Sequence, residues 1–317
     1  MRSSSWAAVA EDVVWRAITR SVLDLNFLYY TMGLISVGGL ALATLALQKA
    51  HKLDPESPFA MHVARMRGAL PAVLVLSITT IAAGLQGGFE RAVQAWHNLD
   101  FTPLVWAIEG NVVERFQDWA RHPVLDYVFV SVYTAGSFLF YFVPFFLLVA
   151  MGRGHNAMRI AATMAIIWAV GIVFYFFVPV NEVWMTASAP YNYTHVTNVL
   201  FEHVPSASTS DAYALAVNNN FPSLHVALTC GIASALWFGR ERWLAIPGTL
   251  IALGVTIATM YLGIHWISDV IAGLILAVGA AWLSHRRIPA EAQVGAPAWL
   301  LFWRKPAAEN EATSTEA

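Results

Sequence analysis

The sequence predicts an all-α protein threaded about seven times through a membrane, and three observations carry that reading. Of its 317 residues, 58% are hydrophobic and only 12% charged, with a positive mean hydropathy, a balance foreign to soluble domains. The apolar residues collect in seven runs, at 27–48, 69–86, 124–151, 158–179, 221–239, 243–262 and 266–284, against the ~20 helical residues that cross a ~30 Å hydrocarbon core. The Lys and Arg residues, finally, divide unevenly between the two sides that seven crossings create.

Taken in order, residues 1–26 form an N-terminal segment ahead of the first run. Within it EDVVWRAITRSVLDLNFL, 11–28, reads either as an amphipathic surface helix or as the start of the first crossing. It lacks a basic start leading directly into an apolar core, so no cleavable signal peptide is expected. The second run is followed by an extramembrane stretch, 87–123, in which Trp96, Trp106 and Trp119 are expected to anchor at the interface. The third run carries the aromatic segment FLFYFVPFF, read as lipid-facing packing. The fourth leads into a loop, 180–220, without a single Lys or Arg and with the sequon Asn192-Tyr193-Thr194. The fifth contains the lone cysteine, Cys230, which excludes a disulfide within the chain and reads as a small packing residue. The sixth leads back across, and the seventh ends the membrane domain, 27–289, before a polar tail, 290–317, expected to be disordered. No internal repeat of the transporter kind is present.

With this threading one face carries Lys49, Lys52, Arg65, Arg67, Arg153, Arg159, Arg240, Arg242, Arg286, Arg287, Arg304 and Lys305. The other carries Arg2, Arg16, Arg20, Arg91, Arg115 and Arg121. Twelve against six makes the first face, with the tail, cytoplasmic. The start of the fifth run and the start of the seventh then share the opposite face, open to the cell exterior or an organelle lumen.

Those two starts are the polar islands of the sequence. One is Phe221-Pro222-Ser223-Leu224-His225; the other is Tyr261-Leu262-Gly263-Ile264-His265-Trp266-Ile267-Ser268-Asp269. Helix starts offer free N–H groups and the positive dipole end to an anion. Pro222 suits a first helical turn, and Ser223 has a hydroxyl to donate to a phosphate oxygen. His265 and Asp269, four apart, fall on one helix face, where the carboxylate fixes the imidazole tautomer and leaves the other nitrogen free. His225 is a second acid–base group. Ionisable groups held at a membrane boundary are costly and point to function. A metal site is the other polar reading of two histidines and an aspartate, with His195 and His203 the only further histidines of note outside the membrane.

FPSLH followed by YLGIHWISDVIAG resembles the second and third motifs of the type 2 phosphatidic acid phosphatase superfamily, in the branch containing inositol phosphorylceramide synthase. Leu224 stands where the main group has Gly. The resemblance is specific over residues 218–273, looser over 100–217 and absent before about residue 90. It implies a six-helix core within 100–285 and one extra helix near the N-terminus. It further implies His265 as nucleophile forming a phosphohistidine, Asp269 as its orienter, His225 as acid and then base, and Ser223 on the phosphoryl oxygens, with no metal and no cofactor. Two departures stand out. Ala258 and Thr259 occupy the slots of the main group's Ser-Arg, and FFVPVNEVWM replaces its Lys-containing first motif. Arg115 and Arg121, in ERFQDWARHP, are the cations expected to compensate. Glu109, Glu114, Asp118 and Asp126 pair with these arginines or meet acceptor hydroxyls. Asn218, Asn219 and Asn220 cap the helix or line the pocket, and Asn220 is carried as a substrate-binding candidate. The expected partners are a membrane lipid phosphate and an alcohol or water acceptor, with no nucleic acid. A lipid phosphate phosphatase and a non-catalytic lipid-binding or transport protein are the alternatives.

Overall fold

The computed structural model describes residues 68–97, 99–203 and 219–288. The predicted run 27–48, the N-terminal segment and the polar tail lie outside the described residues. The described chain is helical: α1 (Leu70–His97), α2 (Thr102–Glu109), α3 (Val112–Ala120), α4 (Pro123–Ser131), α5 (Ser137–Ala150), α6 (Gly154–Phe177), α7 (Val199–His203), α8 (Leu224–Phe238), α9 (Arg242–Tyr261) and α10 (Ile267–Arg287). Its β pairing is one parallel bridge, Val180 to Asn219.

By length and composition four segments can cross a membrane: Pro123–Ala150, Gly154–Phe177, Arg242–Tyr261 and Ile267–Arg287. The first comprises α4 and α5, joined without interruption by a π-helical turn, Val132–Gly136. Leu70–Gln86 and Leu224–Phe238 are shorter apolar helices. At ~1.5 Å per residue α8 is only about 22 Å long. It is nonetheless the centre of the bundle, packed chiefly on α10, α9 and α6, so protein surrounds it and bilayer thickness does not set its length. The stretch 87–123 is largely helical: α1 continues to His97, and α2 and α3 follow. Trp96 and Trp119 are exposed as interfacial residues should be, whereas Trp106 turns inward to stack on Tyr193 at 5.1 Å and meet Trp266 edge-on.

The end opposite the polar islands is tied by buried charge. Glu241 accepts from Asn156 Nδ2 at 2.6 Å and pairs with Arg153. Arg159 reaches Asn156 Oδ1 at 3.0 Å and the carbonyl of Ile288 at 2.9 Å. Buried ions held this way are matched donor for acceptor, and removing one partner strands the other.

Small residues bring the central helices together, as membrane interfaces favour. Gly273 does this at the polar islands, since a methyl there would stand 2.7 Å from the backbone oxygen of Ser223. Gly273→Ala must therefore part α8 from α10 at the polar islands. It is expected to lose ~1–3 kcal/mol, read as a lower unfolding temperature in detergent, with Gly279→Ala, where nothing lies within 4 Å, unchanged.

Candidate active site

The two polar islands meet. Ser223 N donates to the carbonyl of Asp269 at 3.1 Å, and Asn220 Nδ2 donates to Asp269 Oδ2 at 2.6 Å. The rings of His225 and His265 stand 6.4 Å apart. The return crossing of α9 thus brings both helix starts to one end of the bundle.

Ser223 is the N-cap of α8, its hydroxyl accepting from Val226 N at 3.4 Å. Accepting leaves the hydroxyl proton available to donate. Pro222 precedes the cap instead of sitting in the first turn. His225 follows on the first turn, where its Nδ1 lies 3.2 Å from the hydroxyl of Tyr133 and its ring stacks on the phenol at 4.4 Å.

His265 departs from the expected helical pair with Asp269. The helix begins only at Ile267, so His265 lies in the turn before it and Asp269 is the third helical residue. The carboxylate folds back: Asp269 Oδ2 accepts from Trp266 N at 2.9 Å and still meets His265 Nδ1, at 3.4 Å. The turn itself needs Gly263 at φ 76°, and a Cβ there would sit 2.6 Å from the carbonyl of Thr197. Burial and the neighbouring His225 hold His265 below the usual imidazole range, so it is neutral at physiological pH. With Nδ1–H directed at Asp269, the lone pair falls on Nε2.

The anion expected at the start of α10 is supplied by the chain itself. Glu109, from the end of α2, accepts from Ile267 N and Ser268 N, both at 2.7 Å. A carboxylate on two free N–H groups at the positive dipole end is a strong cap, and it takes the place in which a phosphate was expected. Glu182 is a further carboxyl near Asp269, pushed up to about 7 by burial, with Trp184 opposing the shift. Glu114 accepts from His195 N at 2.9 Å.

The other predicted residues are placed as follows. Asn220, buried, does not cap α8; it holds Asp269 and also donates to the carbonyl of Ile264 at 3.0 Å. Arg121, which ends α3, pairs with Glu202, with Asp126 at 3.4 Å and with the hydroxyl of Thr197 at 2.6 Å. Arg115 is exposed on α3, with no side-chain bond to another described residue. Thr259 is fully buried; its carbonyl accepts from Ile264 N and His265 N. Among the described residues no three His, Cys, Asp or Glu side chains gather as a metal would require.

Tyr133 and the role of Glu109 were not read from the sequence. Tyr133 lies ninety residues from FPSLH in an aromatic-rich helix, and no periodicity singles it out; the π turn that aims it has no sequence signature. From the sequence Glu109 reads as an arginine partner or a group that meets acceptor hydroxyls, whereas the structure makes it the cap of α10.

Glu109→Gln is expected to cost ~1–3 kcal/mol of stability and to lower any activity, because one acceptor is exchanged for an amide NH2 facing N–H donors. Thermal unfolding in detergent checks this against Asp118→Asn, exposed on α3, which should match the wild type.

Neither curated proteins nor solved structures yield a match to this chain. A family model described as PAP2 superfamily matches residues 106–283. That span is more than half of the chain and contains Glu109, Tyr133, Ser223, His225, His265 and Asp269. With its membrane-length helices and this match, the chain is an integral membrane protein that belongs to the PAP2 superfamily.

Proposed function

We propose that this protein takes a phosphoryl or phospho-headgroup unit from a membrane lipid, carries it as a phosphohistidine on His265, and passes it to an alcohol acceptor. The observation that carries the reading is the convergence of a neutral, carboxylate-oriented His265 with His225 across a 6.4 Å ring separation. Superfamily membership points to lipid phosphatase or phosphotransferase chemistry, and the two differ only in the second acceptor.

In the first step the Nε2 lone pair of His265 attacks phosphorus while the bond to the leaving oxygen breaks. Protonated His225 gives that oxygen its proton. In the second, His225 takes the proton of the acceptor hydroxyl, whose oxygen attacks phosphorus and releases His265. Asp269 stabilises the developing positive charge on His265, and Asn220 acts through Asp269. Ser223 donates to the phosphoryl oxygens. Arg115 and Arg121 complete the proposed substrate set; the Arg121 pair with Glu202 is partly exposed, and such pairs exchange cheaply. The resemblance to inositol phosphorylceramide synthase at Leu224 favours an alcohol acceptor, as does the near-complete burial of His265 and Asp269, which keeps bulk water from the intermediate. Hydrolysis by water is the second reading, favoured by the superfamily's general phosphatase character.

Purified protein given a labelled lipid phosphate and a panel of polyol and lipid acceptors should form a new phosphoester and an acid-labile protein adduct. His265→Ala should abolish both, and Asp269→Asn should lower the rate by about a thousandfold or more. Release of free phosphate alone selects the phosphatase, and normal turnover by His265→Ala removes the phosphohistidine.

We further place the site on the side away from the cytoplasm, on the charge asymmetry of the sequence. A cysteine at exposed Ala187, introduced by Ala187→Cys in a Cys230→Ser background, is then expected to react with an impermeant thiol reagent in intact cells. Labelling only after permeabilisation reverses the orientation.

A further inference from the structure

Tyr133 is the second residue of the π turn between α4 and α5, and it is buried. Its hydroxyl stands 3.2 Å from Nδ1 of His225, and the two rings are stacked at 4.4 Å with 29° between their planes. The π turn is what aims the side chain. It is braced by Ser137, whose hydroxyl donates to the carbonyl of Tyr133, and by Thr134, which donates to the carbonyl of Val130 at 2.7 Å. On the far side a Cβ at Gly254 would come within 3.1 Å of Val132 Cγ1, so α9 is shaped to admit the widened turn. Helical turns of this kind collect at functional sites.

We propose that Tyr133 is the positioning residue of His225: its phenol oxygen accepts the Nδ1 proton and so reserves Nε2 for proton transfer. The purpose of this arrangement rests on the phosphoryl-transfer reading above, but the tautomer can be measured without it. An imidazole that must act first as acid and then as base gains and loses one proton at Nε2 while Nδ1–H stays in place. A hydroxyl oxygen accepts that N–H in both states. Unlike the carboxylate behind His265, it brings no charge that would hold His225 permanently as the imidazolium. The phenol face under the ring stabilises the cation while it lasts.

Two substitutions separate the contributions. Tyr133→Phe keeps the stacked ring and removes the oxygen; Tyr133→Leu removes both. With an alkyl phosphate ester, whose leaving oxygen needs a proton, Tyr133→Phe is expected to lower kcat by about tenfold and leave KM within about twofold. With an aryl ester whose leaving group departs as a stable anion the loss should vanish from the first step, read as the rate of the pre-steady-state burst of leaving group, because there only the second step still needs His225. A merely structural role would lower both substrates equally, and that result, or full activity of Tyr133→Phe on the alkyl ester, overturns the assignment. Nitrogen NMR of the full-length protein in detergent with isotope-labelled histidine gives the independent reading. Neutral His225, identified by its loss in His225→Gln, should carry its proton on Nδ1 in the wild type and shift toward Nε2 in Tyr133→Phe. A wild-type proton on Nε2 sinks the inference even if phosphoryl transfer stands. Conversely, an Nδ1 proton that moves in Tyr133→Phe upholds it even where no turnover is found.

Discussion

The structure turns on the backbone of one reverse turn, residues 261–266, which carries His265 at the end of the bundle. A buried turn has no water to satisfy its polar groups, and each unpaired carbonyl or N–H would be costly. Here each carbonyl from Tyr261 to Ile264 is met from elsewhere in the chain. Gln117 Nε2 donates to Tyr261, Val199 N to Leu262, Trp184 N to Gly263, and Val183 N with Asn220 to Ile264. The amides are answered as fully: Thr259 accepts from Ile264 and His265, Asp269 from Trp266, and Glu109 from Ile267 and Ser268. The helices and loops between residues 102 and 203 are therefore less a cover than a clamp. Most of this clamp lies within the span that the family model matches, residues 106–283.

How much of this was legible follows from the range of the interactions. The membrane helices from 123 onward fall within a few residues of the apolar runs, because burial in lipid demands continuous apolar sequence and leaves little latitude. The count of seven runs is another matter: the first lies outside the described residues, and only four described segments have the length to cross. That FPSLH and the second island meet was also readable, from the single return crossing between them. What sequence could not supply was long-range polar bookkeeping. Asn220 looks like a cap and is a carboxylate anchor. Glu109 looks like an arginine partner and is a helix cap 158 residues away in sequence. His265 looks helical because four residues separate it from Asp269, yet Gly263 and the fold-back of Asp269 place it in the turn. In each case the local pattern permits two roles, and the partner that decides between them is distant.

Electrostatically the site is unusual for one that would handle phosphate. Carboxylates from α2, α10 and the 180–187 segment crowd it, Arg121 is matched to Asp126 and Glu202, and the carbonyl of Thr259 is taken by Ile264 N and His265 N. The start of α10, the natural anion receptor, is already neutralised by Glu109. The groups at the centre of the site are the Ser223 hydroxyl and two imidazoles, and the cations of the proposed substrate set, Arg115 and Arg121, lie on and at the end of α3. A site of that character gains little from long-range attraction of free anions in solution, which suits the proposed substrate, a lipid already held in the bilayer.

The π turn carries a consequence of its own for how the chain tolerates change. Helical phase is counted in whole residues, each about 100° of rotation at 3.6 residues per turn, and a π turn amounts to one residue more than the α-helix around it requires. Loss of a single residue between Val132 and Gly136 would let α4 and α5 fuse into one regular helix, still apolar, still long enough to cross, and unremarkable to any hydropathy plot. Tyr133 would nevertheless have swung off His225. In this part of the chain a one-residue deletion is thus a change in the geometry around His225 disguised as a simplification of secondary structure.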